Sequence, residues 1–239
     1  MYFLVDSTRK VVFGWSAKCG CSHIKRIFHY FQNNKLNNPI HIGSEYNQLL
    51  PEDIENYTTI LFTRNPYKRL VSGFLDKYRT EGEFRYLWKH PKITFSMFVD
   101  ELLQNDWNMV EKHHFTPQTS EKFDKKIVNS KCLKCFDIEN IDYVYLEQLY
   151  NMQILKVLVD MKEGHERKMY ESSTETPVYD MHMDDYYTSN VDIKYFYSAE
   201  IHQKVFNFYI QDFVFFQDLG INYTDYLYPQ TDDVHYQLK

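Results

Sequence analysis

Thr58 to Thr63 (TTILFT) is a short β-branched and aromatic run, and after Arg64 and Asn65 the pattern changes period. Leu70, Val71, Phe74, Leu75 and Tyr78 then recur at helical spacing. A buried strand feeding a helix begun at Pro66, a favoured first-turn residue, is half of a parallel α/β unit. The succession has an upstream counterpart. KVVFGW (10–15) runs into a loop, SAKCGC, and then into SHIKRIFHYF (22–31), with Ser22 near a helix N-cap and Ile24, Ile27, Phe28 and Phe31 on one face. YFLV (2–5) is a further short strand, so KVVFGW reads either as the return strand of a hairpin or as the first strand of a parallel sheet.

The rest of the chain extends this alternation. Leu50 to Tyr57 reads as a short helix, TFSMFVDELLQ from Thr94 as another, and EKHHFTPQTS (111–120) as an irregular polar segment. DYVYL from Asp142 reads as a strand, EQLYNMQILKVLVDM (147–161) as a helix, and Ser198 to Phe216 as one closing aromatic helix. Residues 164–190 read as a long polar loop of the kind that contacts substrate in compact domains. The expected architecture is a single α/β domain over residues 1–239, with a central, mainly parallel sheet flanked by helices.

Charge is unevenly placed. The net charge of −6 argues against general nucleic-acid binding, yet Arg9 to Lys35 holds six basic residues and no acidic one, and Arg64 to Arg79 holds five basic residues against Asp76 alone. Both islands coincide with the strand-to-helix junctions, where helix N-termini, backbone N–H groups and a focused positive field suit a small polyanion. Arg64 and Ser72, eight positions apart, could flank the first turns of the second helix and hold a phosphate. In the first loop Lys18 precedes Gly20 and Ser22, whereas a Walker A loop carries its lysine after the last glycine, beside the hydroxyl that binds magnesium. That order, with no aspartate-rich magnesium motif, counts against a kinase and predicts no metal.

No stretch reaches the roughly 20 apolar residues of a membrane span, and MYFLVDSTRK lacks the features of a signal peptide, so a soluble, cytoplasmic protein is expected. Cys19, Cys21, Cys132 and Cys135 are too few for a disulfide scaffold, and C-x-C with a distant C-x-x-C is not a zinc spacing. A local disulfide or a pair of buried thiols is left for Cys132 and Cys135.

Taken together, SAKCGCSHIK and RNPYKRLVSGF resemble the two donor-binding elements of the sulfotransferases that use 3′-phosphoadenosine 5′-phosphosulfate. The likeness is greatest to the carbohydrate branch, which has KxGC followed by Ser or Thr, and RxPxxRLxSxF. Further on that branch shows His-aromatic-x-Pro-Gln, CxxC, a Tyr-Asp or similar pair before a Glu, and a C-terminal Tyr, Asp-Phe and Phe. The corresponding residues here are His114 to Gln118, Cys132 to Cys135, Asp142-Tyr143 before Glu147, and Tyr209, Asp212, Phe213 and Phe216. The order is collinear over nearly the full length. Ala17 stands where the family has Pro, Phe115 where it has Trp, and His23 where Asn or Thr is commoner.

The resemblance implies a P-loop-like sulfotransferase fold in soluble form, using 3′-phosphoadenosine 5′-phosphosulfate (PAPS) as sulfate donor and a glycan hydroxyl as acceptor. It implies that Lys18, Cys19, Gly20, Cys21, Ser22 and His23 form the loop for the 5′ phosphosulfate, and that Arg64 and Ser72 hold the 3′ phosphate. His114 is then the catalytic base, with His113 its rival and Glu111 an orienting partner, and Lys18 steadies the leaving oxygen. Lys25, Arg69 and Lys77 add positive charge or serve as solvated surface. A catalytically silent nucleotide-binding or partner-binding protein on the same fold is the alternative.

Overall fold

A computed structural model describes residues 1–35, 47–105, 107–119, 125–158, 172–186 and 188–224. Strands β1 (Tyr2–Asp6), β2 (Val11–Trp15), β3 (Thr58–Thr63) and β4 (Cys132–Asp137) form one sheet in that order. β1 pairs antiparallel with β2, Tyr2 opposite Trp15, while β2, β3 and β4 are mutually parallel, with Val11 opposite Thr58 and Thr58 opposite Cys132. KVVFGW therefore fills both readings offered by its sequence.

Helix α1 (Cys21–Asn33) follows β2 and α2 (Pro66–Tyr78) follows β3, each buried along one stripe. Then come α3 (Phe95–Gln104), the one-turn α4 (Lys112–Phe115), α5 (Tyr143–Tyr150), α6 (Ala199–Phe208) and α7 (Ile210–Asp218). The two-residue alternation of the strands divides the core. Phe13, Ile60 and Phe62 face α1 and α5, packing on Ile24, Phe28 and Tyr150. Val12 and Leu61 point the other way, into the larger aromatic cluster of α2, α3, α6 and α7. The fold is an α/β sheet layered between helices.

Several expectations need correction. DYVYL is not a strand: the Asp142 carboxylate accepts from Tyr145 N at 2.9 Å and starts α5, whose Leu146 and Tyr150, one helical turn apart, are buried. That helix ends at Asn151, in the left-handed region at φ 50°, so the helical run expected on to 161 stops there, and 159–161 lie outside the described residues. The closing helix is two helices, broken at Tyr209. Within the expected 164–190 loop, Ser172–Thr174 (β5) pairs in parallel with Ser189–Val191 (β6), and 164–171 and 187 lie outside the described residues. Leu50 to Tyr57 reduces to a 3-10 turn, Ile54–Asn56.

Candidate active site

Loop 16–20 leaves the carboxyl end of β2 and enters α1 through Gly20, which has φ 65° and no side chain with which to cap the helix. Helices α2 to α6 each have a side-chain cap, from Asn65, Thr94, Glu111, Asp142 and Ser198. α1 thus starts from a residue that has no side chain to cap its first turn, the arrangement in which a bound anion can take the capping role. At α2 the Asn65 side chain accepts from Tyr67 N and Lys68 N. The first turn of α2 is therefore already filled, and an anion beside it must use side chains, Arg64 before the helix and Ser72 on its second turn.

The two junctions are tied together. Lys18 adopts φ 65°, a left-handed conformation unusual for a lysine, and its carbonyl accepts from Arg64 Nη1 at 3.2 Å. Lys18 Nζ meets Asp76 Oδ2 at 3.1 Å, and Lys77 Nζ meets the same oxygen at 3.5 Å while bonding Glu83 at 2.8 Å. Burial pushes the Lys18 ammonium below its usual range, and Asp76 partly restores it. For Asp76 burial pulls upward, but Lys18 and Lys77 outweigh it and hold the carboxyl below its ordinary value. Arg64 Nε is buried and has no hydrogen-bond partner among the described residues. Lys68, one helical turn before Ser72, pairs with Glu139.

The histidines face different ways. Glu111 caps α4, accepting from His113 N at 2.7 Å and His114 N at 2.9 Å, and its Oε2 lies 2.6 Å from His114 Nδ1. Burial raises the Glu111 carboxyl, but the His114 ring and the two N–H donors outweigh it, so it stays ionised well into acid. An ionised acceptor there fixes the proton on His114 Nδ1 and leaves Nε2 as a lone-pair base. The His114 ring lies 5.6 Å from that of Phe84, over which Lys77 Nζ sits at 5.7 Å. A continuous run of contacts, His114–Phe84–Lys77–Asp76–Lys18, therefore joins the His114 ring to the loop lysine. His113 stands at 89° to His114, and its Nδ1 meets Tyr2 Oη at 2.6 Å.

The model described as Sulfotransferase family matches residues 1–217. The chain belongs to the sulfotransferase family. No curated protein and no solved structure matches it. In this sulfotransferase the segment 111–119, regular only over the single turn of α4, is held in place by buried polar contacts. Arg69, 2% exposed, donates from Nε to Ala17 O at 2.9 Å and from Nη1 to Thr116 O at 2.8 Å, so it holds the donor-type loop against the histidine segment instead of facing solvent. Gln118 bonds both the N–H and the carbonyl of Arg64 and accepts from Cys19 Sγ. The fully buried Asp212 accepts from Gln118 N, Thr119 N and Thr119 Oγ1, and Tyr209 Oη donates to Phe115 O at 2.6 Å. Glu147 caps the turn after α5 through Ile154 N and Leu155 N.

Not every residue of the expected loop can reach a ligand with its side chain. Cys19 is fully buried, its thiol is pushed up to about 12 and its N–H already donates to Ser16 O at 3.1 Å, so it shapes the loop rather than reaching a ligand, and the His23 ring bonds Tyr143 Oη at 2.8 Å. Lys25 is buried with its ammonium 4.1 Å over the Trp15 ring. Asp76 and the structural use of Arg69 escaped the sequence reading. The signal available for Asp76 was its place, one helical turn after Ser72, as the sole acidic residue of a basic island. All four cysteines are free thiols: Cys132 and Cys135, three apart on a strand, point to opposite faces, which excludes the local disulfide. Among the described residues no group of side chains is arranged to hold a metal, and no helix is long and apolar enough to cross a membrane.

Proposed function

We propose that this sulfotransferase moves the sulfuryl group of 3′-phosphoadenosine 5′-phosphosulfate onto an acceptor hydroxyl, with His114 as general base. The observation that carries this reading is the Glu111–His114 pair, tied by contacts to Lys18 on the rim of an uncapped helix N-terminus. His114 Nε2 takes the proton of the acceptor hydroxyl as its oxygen bonds to sulfur. The sulfur–oxygen bond to the nucleotide phosphate breaks in line, and Lys18 and the α1 N–H groups meet the charge left on that phosphate.

Gly20, Cys21, Ser22 and the backbone of His23 form the 5′ cradle in this reading, with Cys19, whose N–H is spent on Ser16 O, shaping the loop. Arg64, whose buried Nε has a hydrogen bond to give, and Ser72 hold the 3′ phosphate. His114 is preferred to His113 because it is the residue bonded to a carboxylate and in contact with the lysine side of the site. A glycan hydroxyl as acceptor rests on the collinear motifs of the carbohydrate branch, as does a single domain over 1–239.

Calorimetric titration with 3′-phosphoadenosine 5′-phosphate (PAP), with and without magnesium, tests the donor. The expected result is binding that is independent of magnesium and weakened by about tenfold or more in Arg64→Ala. For the chemistry, His114→Ala should lose transfer and keep nucleotide affinity. Normal turnover in that variant would identify a different base.

A further inference from the structure

Glu111 spends its carboxylate on His113 N, His114 N and His114 Nδ1, but as the cap of α4 it lies outside the helical ladder, so its own N–H needs another acceptor. That acceptor is Tyr78 Oη, at 2.8 Å. The same hydroxyl donates to Met109 O at 2.9 Å. One phenol therefore grips the chain on both sides of Val110, which is itself buried.

Tyr78 is the last residue of α2, and its place on the apolar stripe accounts for the ring, fully buried against Phe98 and Phe115 with centroids 5.0 and 6.0 Å away. It does not account for the hydroxyl. A phenylalanine would pack the same way, whereas a hydroxyl taken out of water costs free energy unless it finds hydrogen bonds. Here it both accepts and donates, and its partners are the peptide groups that flank the approach to His114. Burial holds the phenol well above its ordinary value, so it remains a donor throughout the neutral range. The same helix end seats a second neighbour of the imidazole. Phe84 N donates to Lys77 O at 2.9 Å and Arg85 Nη1 donates to Tyr78 O at 2.8 Å, which brings the Phe84 ring to His114. α2 thus begins beside Arg64 and ends beneath the Glu111–His114 pair.

We propose that Tyr78 is a positioning residue, whose hydroxyl fixes the Glu111 backbone so that the carboxylate holds the Nδ1 proton of His114 and leaves Nε2 as the lone-pair nitrogen. As a part of catalysis this rests on the reading of His114 as base. As a contact that sets the ring, it is measurable in the protein alone.

Nitrogen-15 NMR of the histidine rings in the unliganded protein reads the tautomer directly. The His114 signals are assigned by their loss in His114→Ala, which separates them from those of His113. In the wild type His114 should show one tautomer, with a hydrogen-bonded Nδ1–H and a lone pair on Nε2. In Tyr78→Phe, which keeps the buried ring, the Nδ1–H signal should be lost to exchange and the two nitrogens should average. Phe98→Leu loosens the same aromatic cluster without touching the hydroxyl, so the single tautomer should persist there. Amide signals of β3 and α1 should stay in place in both variants, and their loss in Tyr78→Phe would mark a general structural role and overturn the proposal. A single tautomer that survives Tyr78→Phe, or one lost equally in Phe98→Leu, overturns it as well. Normal turnover in His114→Ala would remove His114 as base, while the NMR result would still decide what Tyr78 holds.

Discussion

The Lys18–Asp76 pair determines how the loop lysine behaves before any anion arrives. Burial pulls the Lys18 ammonium below its ordinary value, and Asp76, 3.1 Å away, offsets part of that pull while holding the side chain in place. Removing that negative charge has two consequences of opposite sign. In Asp76→Asn the ammonium no longer leaves a carboxylate to meet the donor phosphate, so PAP affinity at neutral pH should rise. The Lys18 pKa also falls further, so the alkaline loss of affinity should begin at lower pH than in the wild type. Titrations between about pH 6 and 10 separate the two, and an unchanged pH profile would show that Asp76 does not govern this lysine. At this scale the sequence pointed to Lys18, Arg64, Ser72 and His114, the residues to which roles are proposed above. It was silent on Asp76 because the partner lies 58 positions away and no local pattern links the two.

The site also depends on how closely two helices approach. α2 carries Gly73 at the point where Phe115 of α4 crosses it, and a Cβ built there would lie 2.6 Å from the Phe115 ring. Gly73→Ala must displace the residue next to His114. The expected cost is about 1–3 kcal/mol in stability, with a disproportionate loss of turnover, because the ring that moves shares a turn with His114, the proposed base. Denaturant melts and steady-state rates on the same preparation check this, and turnover lost only in proportion to the folded fraction would contradict it. Period and caps made β1 to β3, α1, α2 and α3 legible. The strand reading of DYVYL failed because aromatic and β-branched content outweighed the Asp142 cap. β4, with Lys134 exposed and the other residues only half buried, carries no apolar alternation to reveal it.

Over the whole molecule, two basic islands far apart in sequence meet at the carboxyl ends of adjacent parallel strands, the usual place for a ligand in an open α/β sheet. A nucleotide that bridges both junctions binds only the folded chain. At a concentration about 100-fold above its Kd, PAP should add about 2.7 kcal/mol to stability and raise the Tm by about 5–10 °C. Differential scanning calorimetry reads this, and adenosine, which lacks both phosphates, should leave the Tm unchanged. The chain by itself determined the α/β alternation, the two basic strand-to-helix junctions and the place of the histidine segment, because strand period, helix period and loop chemistry are local properties. Tertiary structure alone decided which histidine meets a carboxylate and which faces a cavity, that Arg69 is a brace and that Asp212 and Tyr209 anchor the segment bearing both histidines. Those outcomes depend on contacts between residues tens of positions apart, which arise only when the sheet and its helices pack.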